Sequence, residues 1–225
     1  MFLPSIFKRA ADVPALPPSS RALVVAPGNV APAGKRLVFG FDATASREMT
    51  WEAARELTDS LFEAVPAGLD LALAVHGGGK LHTFTAFSRN AAEIRKIARR
   101  IDCRGGNTQL IPLLRSTYTS GGVGTIVYIG DDFEEDDNEA LAIGTILGRN
   151  GTRIIVLHEH RCKDVFKALA MVSNGAVLPF DASALAGLRD LLGAVAVMTA
   201  HGINHVKANQ KTLPGAKLLL QHLNG

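Results

Sequence analysis

Short apolar runs alternate with amphipathic stretches along most of this chain, and that alternation is the feature that most restricts its fold. The runs 37–41, 125–129 and 153–157 are made mainly of apolar residues and glycine, which is typical of strands covered on both faces. Between them lie stretches with apolar residues at helical spacing, such as 51–65 and 138–147. The pattern predicts an α/β fold: a doubly wound, mostly parallel central sheet with helices on both faces.

The short link between two of the predicted strands indicates that one strand of the sheet is antiparallel. The runs 69–75 and 80–87 read as strands, and only His76-Gly-Gly-Gly79 joins them. A link this short forces neighbouring strands to run antiparallel, so we expect one antiparallel edge strand. The remaining predicted elements are helices at 90–101, 108–118, 163–171 and 181–198, the last capped by Asp181 or Ser183, and a strand at 175–178.

The length of 225 residues suits one sizeable domain with short extensions. Residues 1–33 contain six prolines and no sustained periodicity, so they are predicted to form a Pro-rich extended N-terminal arm. Residues 34–200 form the predicted domain. Residues 201–225 are interpreted as a tail with one short amphipathic helix, whose leucines pack back on the core or engage a partner, the former being the favoured reading.

Composition excludes several classes of protein. Hydrophobic residues make up 47% and charged residues 20%, as in ordinary globular proteins. The net charge of +3 is small, so no nucleic-acid partner is expected. The two cysteines show no metal-ligand spacing, and no apolar stretch reaches the roughly 20 residues of a membrane span. A reduced, cytoplasmic protein without a membrane partner is the expectation.

Oxygen-bearing side chains follow two of the predicted buried strands and occupy one further loop. Asp42, Thr44 and Ser46 come where the first strand ends, Thr108 follows a Gly-Gly turn, and Asp131 ends the strand at 125–129. Loops after neighbouring parallel strands share one edge of the sheet. A few hard oxygen ligands and several waters suit Mg²⁺. The sequence therefore predicts a site for Mg²⁺, or Mn²⁺, at this edge.

These three loops resemble those of the von Willebrand factor A (VWA) domain family at its metal-ion-dependent adhesion site (MIDAS). The family's Asp-x-Ser-x-Ser loop is matched by Asp42-Ala-Thr44-Ala-Ser46, and its Gly-Gly-x-Thr run by Gly105-Gly-Asn-Thr108. The third loop, often Thr-Asp-Gly, is matched by Gly130-Asp131-Asp132 and departs most, because glycine replaces the hydroxyl residue. The resemblance covers about residues 35–198, with the motifs in order.

The resemblance implies a role for each matched residue. Thr44 and Ser46 would ligate the metal directly, and Asp42 and Asp131 mostly through water. Thr108 would lie in an exposed loop and ligate the metal directly or through water. Asp132 would be an additional ligand or part of the acidic rim of the site. It also implies a non-catalytic interaction module, in which an acidic side chain of a protein partner fills the open coordination position. Small VWA proteins of bacterial type suggest an ATPase or another multicomponent assembly as that partner.

Taken one at a time, these residues have structural explanations. Asp42 and Thr108 can be helix caps, and Thr44 and Ser46 ordinary residues of a first turn. Of the acidic run 131–139, only the first member is predicted to be functional, and the others to form a solvated rim beside a helix N-terminus. His158 and His160, near Cys162, could share a zinc ion, but a third ligand is not evident, so they are read as polar surface. His201 and His205 are read as structural or solvent-facing. The basic helix, with Arg89, Arg95, Lys96, Arg99, Arg100 and Arg104, is read as a solvated face, with the binding of an acidic partner as the alternative.

A rival interpretation is a Mg²⁺-dependent phosphoryl-transfer enzyme of the haloacid dehalogenase type, with Asp42 as nucleophile. The Asp-x-Thr outline at Asp42 and the acids after Gly130 fit that family's motifs. However, Thr44 stands where the general acid is required, and no lysine lies between Lys96 and Asp131 to bind the phosphoryl oxygens. The non-catalytic reading is therefore preferred.

Overall fold

Strands account for the middle layer of the protein. The computed structural model describes residues 35–48, 52, 56, 59, 62, 65–159, 161–181 and 184–223. Among these, six strands form one sheet: β1 (Arg36–Asp42), β2 (Asp70–Gly77), β3 (Lys80–Phe84), β4 (Thr125–Gly130), β5 (Arg153–His158) and β6 (Ala176–Pro179).

The sheet has the order β3-β2-β1-β4-β5-β6. All neighbours are parallel except β2 and β3, which form the expected antiparallel pair. The predicted doubly wound sheet with one antiparallel edge strand is thus confirmed. The chain turns to one side of β1 to form β2 and to the other side to form β4, so the strand order reverses beside β1. Ligand sites of doubly wound folds lie at the carboxyl ends of the strands at this point.

Helices cover both faces of the sheet. They are α1 (Ala91–Ala98), α2 (Leu110–Ser120), α3 (Asp137–Arg149), α4 (Asp164–Val172), α5 (Leu185–His201), α6 (Ile203–Ala208) and α7 (Ala216–Leu223). Of the helix predicted at 51–65, Glu52, Glu56, Asp59 and Phe62 are described and are helical, whereas Val65 is not. Helix α5 begins later than predicted: Ala184 precedes its first residue without a side-chain cap, and Ser183 lies outside the described residues.

Alternate residues of β1 face two different helical layers. Leu37, Phe39 and Phe41 belong to a hydrophobic cluster that includes apolar residues of α1, α5 and α7. On the other face, Gly40 leaves room for α2, since a Cβ at this position would lie 2.8 Å from Leu113 Cδ1. The absence of a side chain at Gly40 therefore brings α2, and the loop that precedes it, close to the sheet.

Two helices, α6 and α7, follow α5 where the sequence indicated one. Gly202, with φ of 87°, separates α5 from α6. Val206, Ala216 and Leu219 are fully buried and join the same hydrophobic cluster as β1. The apolar residues of this stretch therefore pack back on the core.

The predicted N-terminal arm, residues 1–33, lies outside the described residues. Within the part of the chain that the structure describes, no helix is long and apolar enough to cross a membrane.

Candidate metal centre

The first loop of the site begins at the last residue of β1. Asp42 is fully buried, and its Oδ1 accepts a hydrogen bond of 2.9 Å from the backbone N–H of Thr44. This bond turns the chain so that Thr44 Oγ1 and Ser46 Oγ lie 3.0 Å apart. Neighbouring ligands of an octahedral Mg²⁺, each at about 2.1 Å, are also about 3.0 Å apart. The two hydroxyls thus have the spacing that such an ion requires.

Backbone contacts hold the second loop against the first. The N–H of Arg104 donates to Ala43 O at 2.8 Å, and Arg104 forms an isolated parallel bridge with Thr44. The turn between β2 and β3 also meets this loop, since Gly79 N–H donates to Asn107 O at 3.2 Å. Gly106 makes the approach possible, because a Cβ there would lie 2.5 Å from Gly78 Cα.

Thr108 is buried, with 2% of its surface exposed. Its hydroxyl oxygen accepts a hydrogen bond of 3.0 Å from Glu134 N–H, and its own N–H donates to Glu134 Oε2 at 3.1 Å. The expectation of an exposed loop holds for residues 105–107 but is wrong for Thr108. The error arises because the acidic segment after β4 covers this residue. A second lone pair of the hydroxyl oxygen remains available for a metal ion or a water.

The third loop starts at Asp131, directly after β4. Strands β1 and β4 are neighbours in register, so Asp42 and Asp131 leave the sheet at the same edge. Asp131 Oδ1 is buried and accepts no hydrogen bond from any described residue. A buried carboxylate oxygen without a donor is costly, and a bound cation with its waters removes that cost. This oxygen and the hydroxyl pair fit a divalent cation.

Gly130, the largest departure from the family's motif, has a steric explanation. A Cβ at Gly130 would lie 2.7 Å from the ring and hydroxyl of Tyr128. The Tyr128 side chain thus occupies the space that a threonine side chain at position 130 would need. The site therefore lacks the hydroxyl that such a threonine would supply, and only the oxygens of the other motif residues are there to face a cation.

Asp132 points to a different partner from Asp131. Its Oδ1 lies 2.5 Å from Lys163 Nζ, and both side chains are about half exposed. The hydrogen bond from Lys163 is the main reason that the pKa of Asp132 is lowered. This ion pair favours the rim interpretation of Asp132 over the ligand interpretation.

Glu134 and Glu135 in the acidic run 131–139 hydrogen-bond to backbone N–H groups of the second loop and α2. This corrects the expectation that they form a solvated rim. Glu134 bonds to Thr108 as described, and Glu135 accepts hydrogen bonds from Leu110 N–H at 2.5 Å and Ile111 N–H at 3.0 Å. Burial raises the pKa of Glu135. Asp136 accepts from Glu139 N–H at 2.8 Å as the N-cap of α3, as expected of acids at a helix start. The acidic run therefore joins the third loop to the start of α2.

A buried histidine that the sequence motifs do not single out lies beneath the site. His76 is fully buried, and its Nδ1 lies 3.8 Å from Asp42 Oδ1. That nitrogen accepts a hydrogen bond of 3.2 Å from Gln109 N–H, which places the ring hydrogen on Nε2, beside Tyr128 OH at 3.0 Å. The strand register could have revealed it, because His76 pairs with Asp42 in the neighbouring parallel strand. His76 thus contacts elements that carry all three loops.

We expect Tyr128→Phe to lower the free energy of unfolding by about 1–3 kcal/mol, because it removes the acceptor of the buried Nε2–H group of His76. Chemical denaturation of the two proteins in EDTA measures the difference. Cation affinity should change little, since the Tyr128 ring that shapes Gly130 is retained. An unchanged free energy of unfolding would contradict the hydrogen bond.

Of the remaining sequence candidates, Arg104 takes part through its backbone, as described above, and His158 ends β5 opposite Gly130. His160 lies outside the described residues, so the His158 and His160 pair is not described. Helix α1 is shorter than the predicted basic helix, so Arg89 and Arg99 lie outside it; Arg89 pairs with Asp70, and Arg99 pairs with Asp59. Within the described chain, no three His, Cys, Asp or Glu side chains are grouped to hold a metal ion. A cation at the three loops would therefore need the hydroxyls of Thr44 and Ser46 as ligands.

Comparison with solved structures identifies the fold. A von Willebrand factor type A protein from Catenulispora acidiphila superposes with a TM-score of 0.61 at 14% identity, covering 75% of this chain and 43% of that one. The SpRpn10 VWA domain gives 0.59 at 12% identity, covering 69% of this chain and 93% of that one. The chain therefore has the VWA fold, as its motifs indicated. No protein-family model and no curated protein sequence matches it.

One structural neighbour has a metal at the corresponding kind of site. It is proximal thread matrix protein 1 from the mussel byssus, solved with a zinc-occupied MIDAS motif; the TM-score is 0.59 at 13% identity, and the match covers 75% of this chain and 47% of that one. This chain thus spans less than half the length of that neighbour and of the Catenulispora protein. At these identities the likeness defines the fold alone.

Proposed function

We propose that this protein binds one Mg²⁺, or Mn²⁺, through Asp42, Thr44, Ser46, Thr108 and Asp131. The observation that carries the proposal is the pairing of Thr44 and Ser46 hydroxyls 3.0 Å apart at the sheet edge where Asp131 Oδ1 is buried and accepts no hydrogen bond from the described residues. Thr44 and Ser46 would bind the ion directly, and the two aspartates mostly through water. The bound ion supplies a positive charge that can accept a further oxygen ligand.

The donor set favours a hard cation over zinc. All five proposed ligands are oxygens, and the described loops offer no thiolate or imidazole for a soft or borderline ion. His76, the nearest imidazole, is occupied by Gln109 N–H and Tyr128 OH. Zinc in the mussel protein shows that a MIDAS motif accepts another divalent ion when it is supplied.

We further propose that the site recognises an acidic residue of a protein partner. With few protein oxygens on the ion, at least one position carries water that an Asp or Glu carboxylate can displace. A carboxylate held by a divalent ion gains more than an exposed ion pair does. An ATPase or another multicomponent assembly in the cytoplasm is the proposed source of this residue. Neither a nucleic acid nor a membrane surface is part of the proposal.

A non-catalytic role is preferred to phosphoryl transfer. The residue two positions after Asp42 is Thr44, whose hydroxyl lies against Ser46 and cannot act as a general acid near neutral pH. A lysine does approach the site, but Lys163 is paired with Asp132. The VWA fold also accounts for the Gly-Gly-Asn-Thr loop, which the enzyme interpretation leaves unexplained.

Titration calorimetry with Mg²⁺ tests the cation site. Asp42→Ala and Ser46→Ala should each weaken binding by at least about 10–100-fold, which is the loss seen when a residue that only supports a metal ligand is replaced. Ser46 is exposed, so its replacement does not disturb the core. Asp132→Asn is the matched control, and its affinity should stay near that of the wild type because Lys163 already holds that carboxylate.

Two results would overturn the proposal. The ligand assignment fails if Mg²⁺ binds with wild-type affinity to both Asp42→Ala and Ser46→Ala. The non-catalytic role fails if the wild type hydrolyses a simple phosphomonoester with Mg²⁺ and Asp42→Asn does not.

A further inference from the structure

A second pair of metal-binding side chains lies far along the chain from the three loops. His201 is the last residue of α5 and His205 lies in α6. Although Gly202 interrupts the helix between them, their ring centroids are 5.0 Å apart and the ring planes meet at 36°. Both side chains are exposed. The two imidazoles thus lie side by side at the surface.

The ring nitrogens of this pair are available to a ligand. No described residue donates to them or accepts from them. The rings line a cavity of about 280 Å³ together with Pro66, Val197, Asn209, Thr212 and Leu213. Asn209 is held in place, since its Nδ2 donates to His205 O at 2.9 Å. The lining contains no charged side chain, so neither a lysine nor a carboxylate of this cavity occupies the imidazoles.

The electrostatic setting of the cavity favours a cation. Helix α5 ends at His201, so the negative end of its dipole lies beside the pair. Neutral imidazole nitrogens are good ligands for Zn²⁺, Cu²⁺ and Ni²⁺ and poor ones for Mg²⁺. Water, or the side-chain oxygens of Asn209 and Thr212, can complete the coordination.

We propose that His201 and His205 form a site for a borderline transition-metal ion, Zn²⁺, Cu²⁺ or Ni²⁺. The site is separate from the oxygen site and differs from it in the class of ion it takes. It rests on the imidazole pair and its cavity, and does not depend on cation binding at Asp42.

Calorimetric titration of the 225-residue, tag-free chain with Ni²⁺ in excess Mg²⁺ tests this site, at a pH about one unit above the usual imidazole pKa. One Ni²⁺ should bind per chain. His201→Gln and His205→Gln should each weaken binding by at least about tenfold, and the double variant should abolish it. Electron paramagnetic resonance of the Cu²⁺ form should show two nitrogen ligands in the wild type and one in each single variant.

His222→Gln is the matched control, because His222 is also an exposed histidine on a short C-terminal helix. Its Ni²⁺ affinity should equal that of the wild type. The proposal is overturned if the double variant binds Ni²⁺ as tightly as the wild type, if the control loses affinity to the same degree, or if Mg²⁺ displaces the bound Ni²⁺. Displacement by Mg²⁺ would assign the ion to the oxygen site instead.

Discussion

Excess Mg²⁺ is expected to raise the free energy of unfolding of this protein, and the rise is expected to disappear when Asp131 is replaced by asparagine. A ligand that binds only the folded state stabilises it by about 2.7 kcal/mol at a free concentration about 100 times Kd. For a chain of this size, each kcal/mol raises Tm by roughly 2–4 °C. Thermal unfolding in EDTA and in Mg²⁺ therefore measures a shift of roughly 5–10 °C.

Asp131→Asn keeps the size of the side chain and removes its charge, so the fold is retained while the cation loses an anionic partner. In EDTA the variant should be at least as stable as the wild type, because the buried Oδ1 that accepts no hydrogen bond from the described residues no longer belongs to a carboxylate. A Mg²⁺ shift of the same size in both proteins would contradict the placement of Asp131 at the ion.

Gly106→Ala is expected to cost about 2–6 kcal/mol of stability and to weaken Mg²⁺ binding. Gly106 has φ of 133°, a conformation that costs a residue with a Cβ roughly 1–3 kcal/mol. The added methyl would also lie 2.5 Å from Gly78 Cα, and such overpacking costs roughly 1–3 kcal/mol. Because the Gly106 turn precedes Thr108, pushing it away from the β2–β3 turn disturbs the second loop of the site.

Gly105→Ala provides the matched control for this prediction. A Cβ at Gly105 meets no atom within 4 Å, and its φ lies outside the left-handed range. Denaturation and Mg²⁺ titration of the two variants separate a specific close approach from a general intolerance of alanine in this turn. Equal losses in both variants would refute the steric argument.

The parts of the fold that could be predicted depend on local patterns. The apolar runs around Phe39, Val127 and Ile155 identify buried strands, because only residues covered on both faces are apolar without alternation. The three-glycine turn after His76 identifies the antiparallel edge. The proposed ligands could be placed at one edge because Asp42 and Asp131 each end a predicted strand, and parallel strands share their carboxyl edge.

What could not be predicted depends on contacts between residues distant in sequence. The burial of Thr108 results from Glu134, which lies 26 positions further on. The glycine at position 130 is explained by where the Tyr128 ring lies above the sheet. His76 was read as part of a turn, since its contacts with Gln109 and Tyr128 exist only once β2, α2 and β4 are assembled.

The hydrogen bonds of Glu135 connect the third loop of the site to helix α2. Its carboxylate caps the first two N–H groups of α2, while its backbone belongs to the segment that starts at Asp131. A displacement of this segment would therefore either break the cap of α2 or carry α2 with it. Because α2 packs on the sheet beneath Gly40 and its 11 residues are about 16 Å long, such a displacement would move atoms far from Asp131.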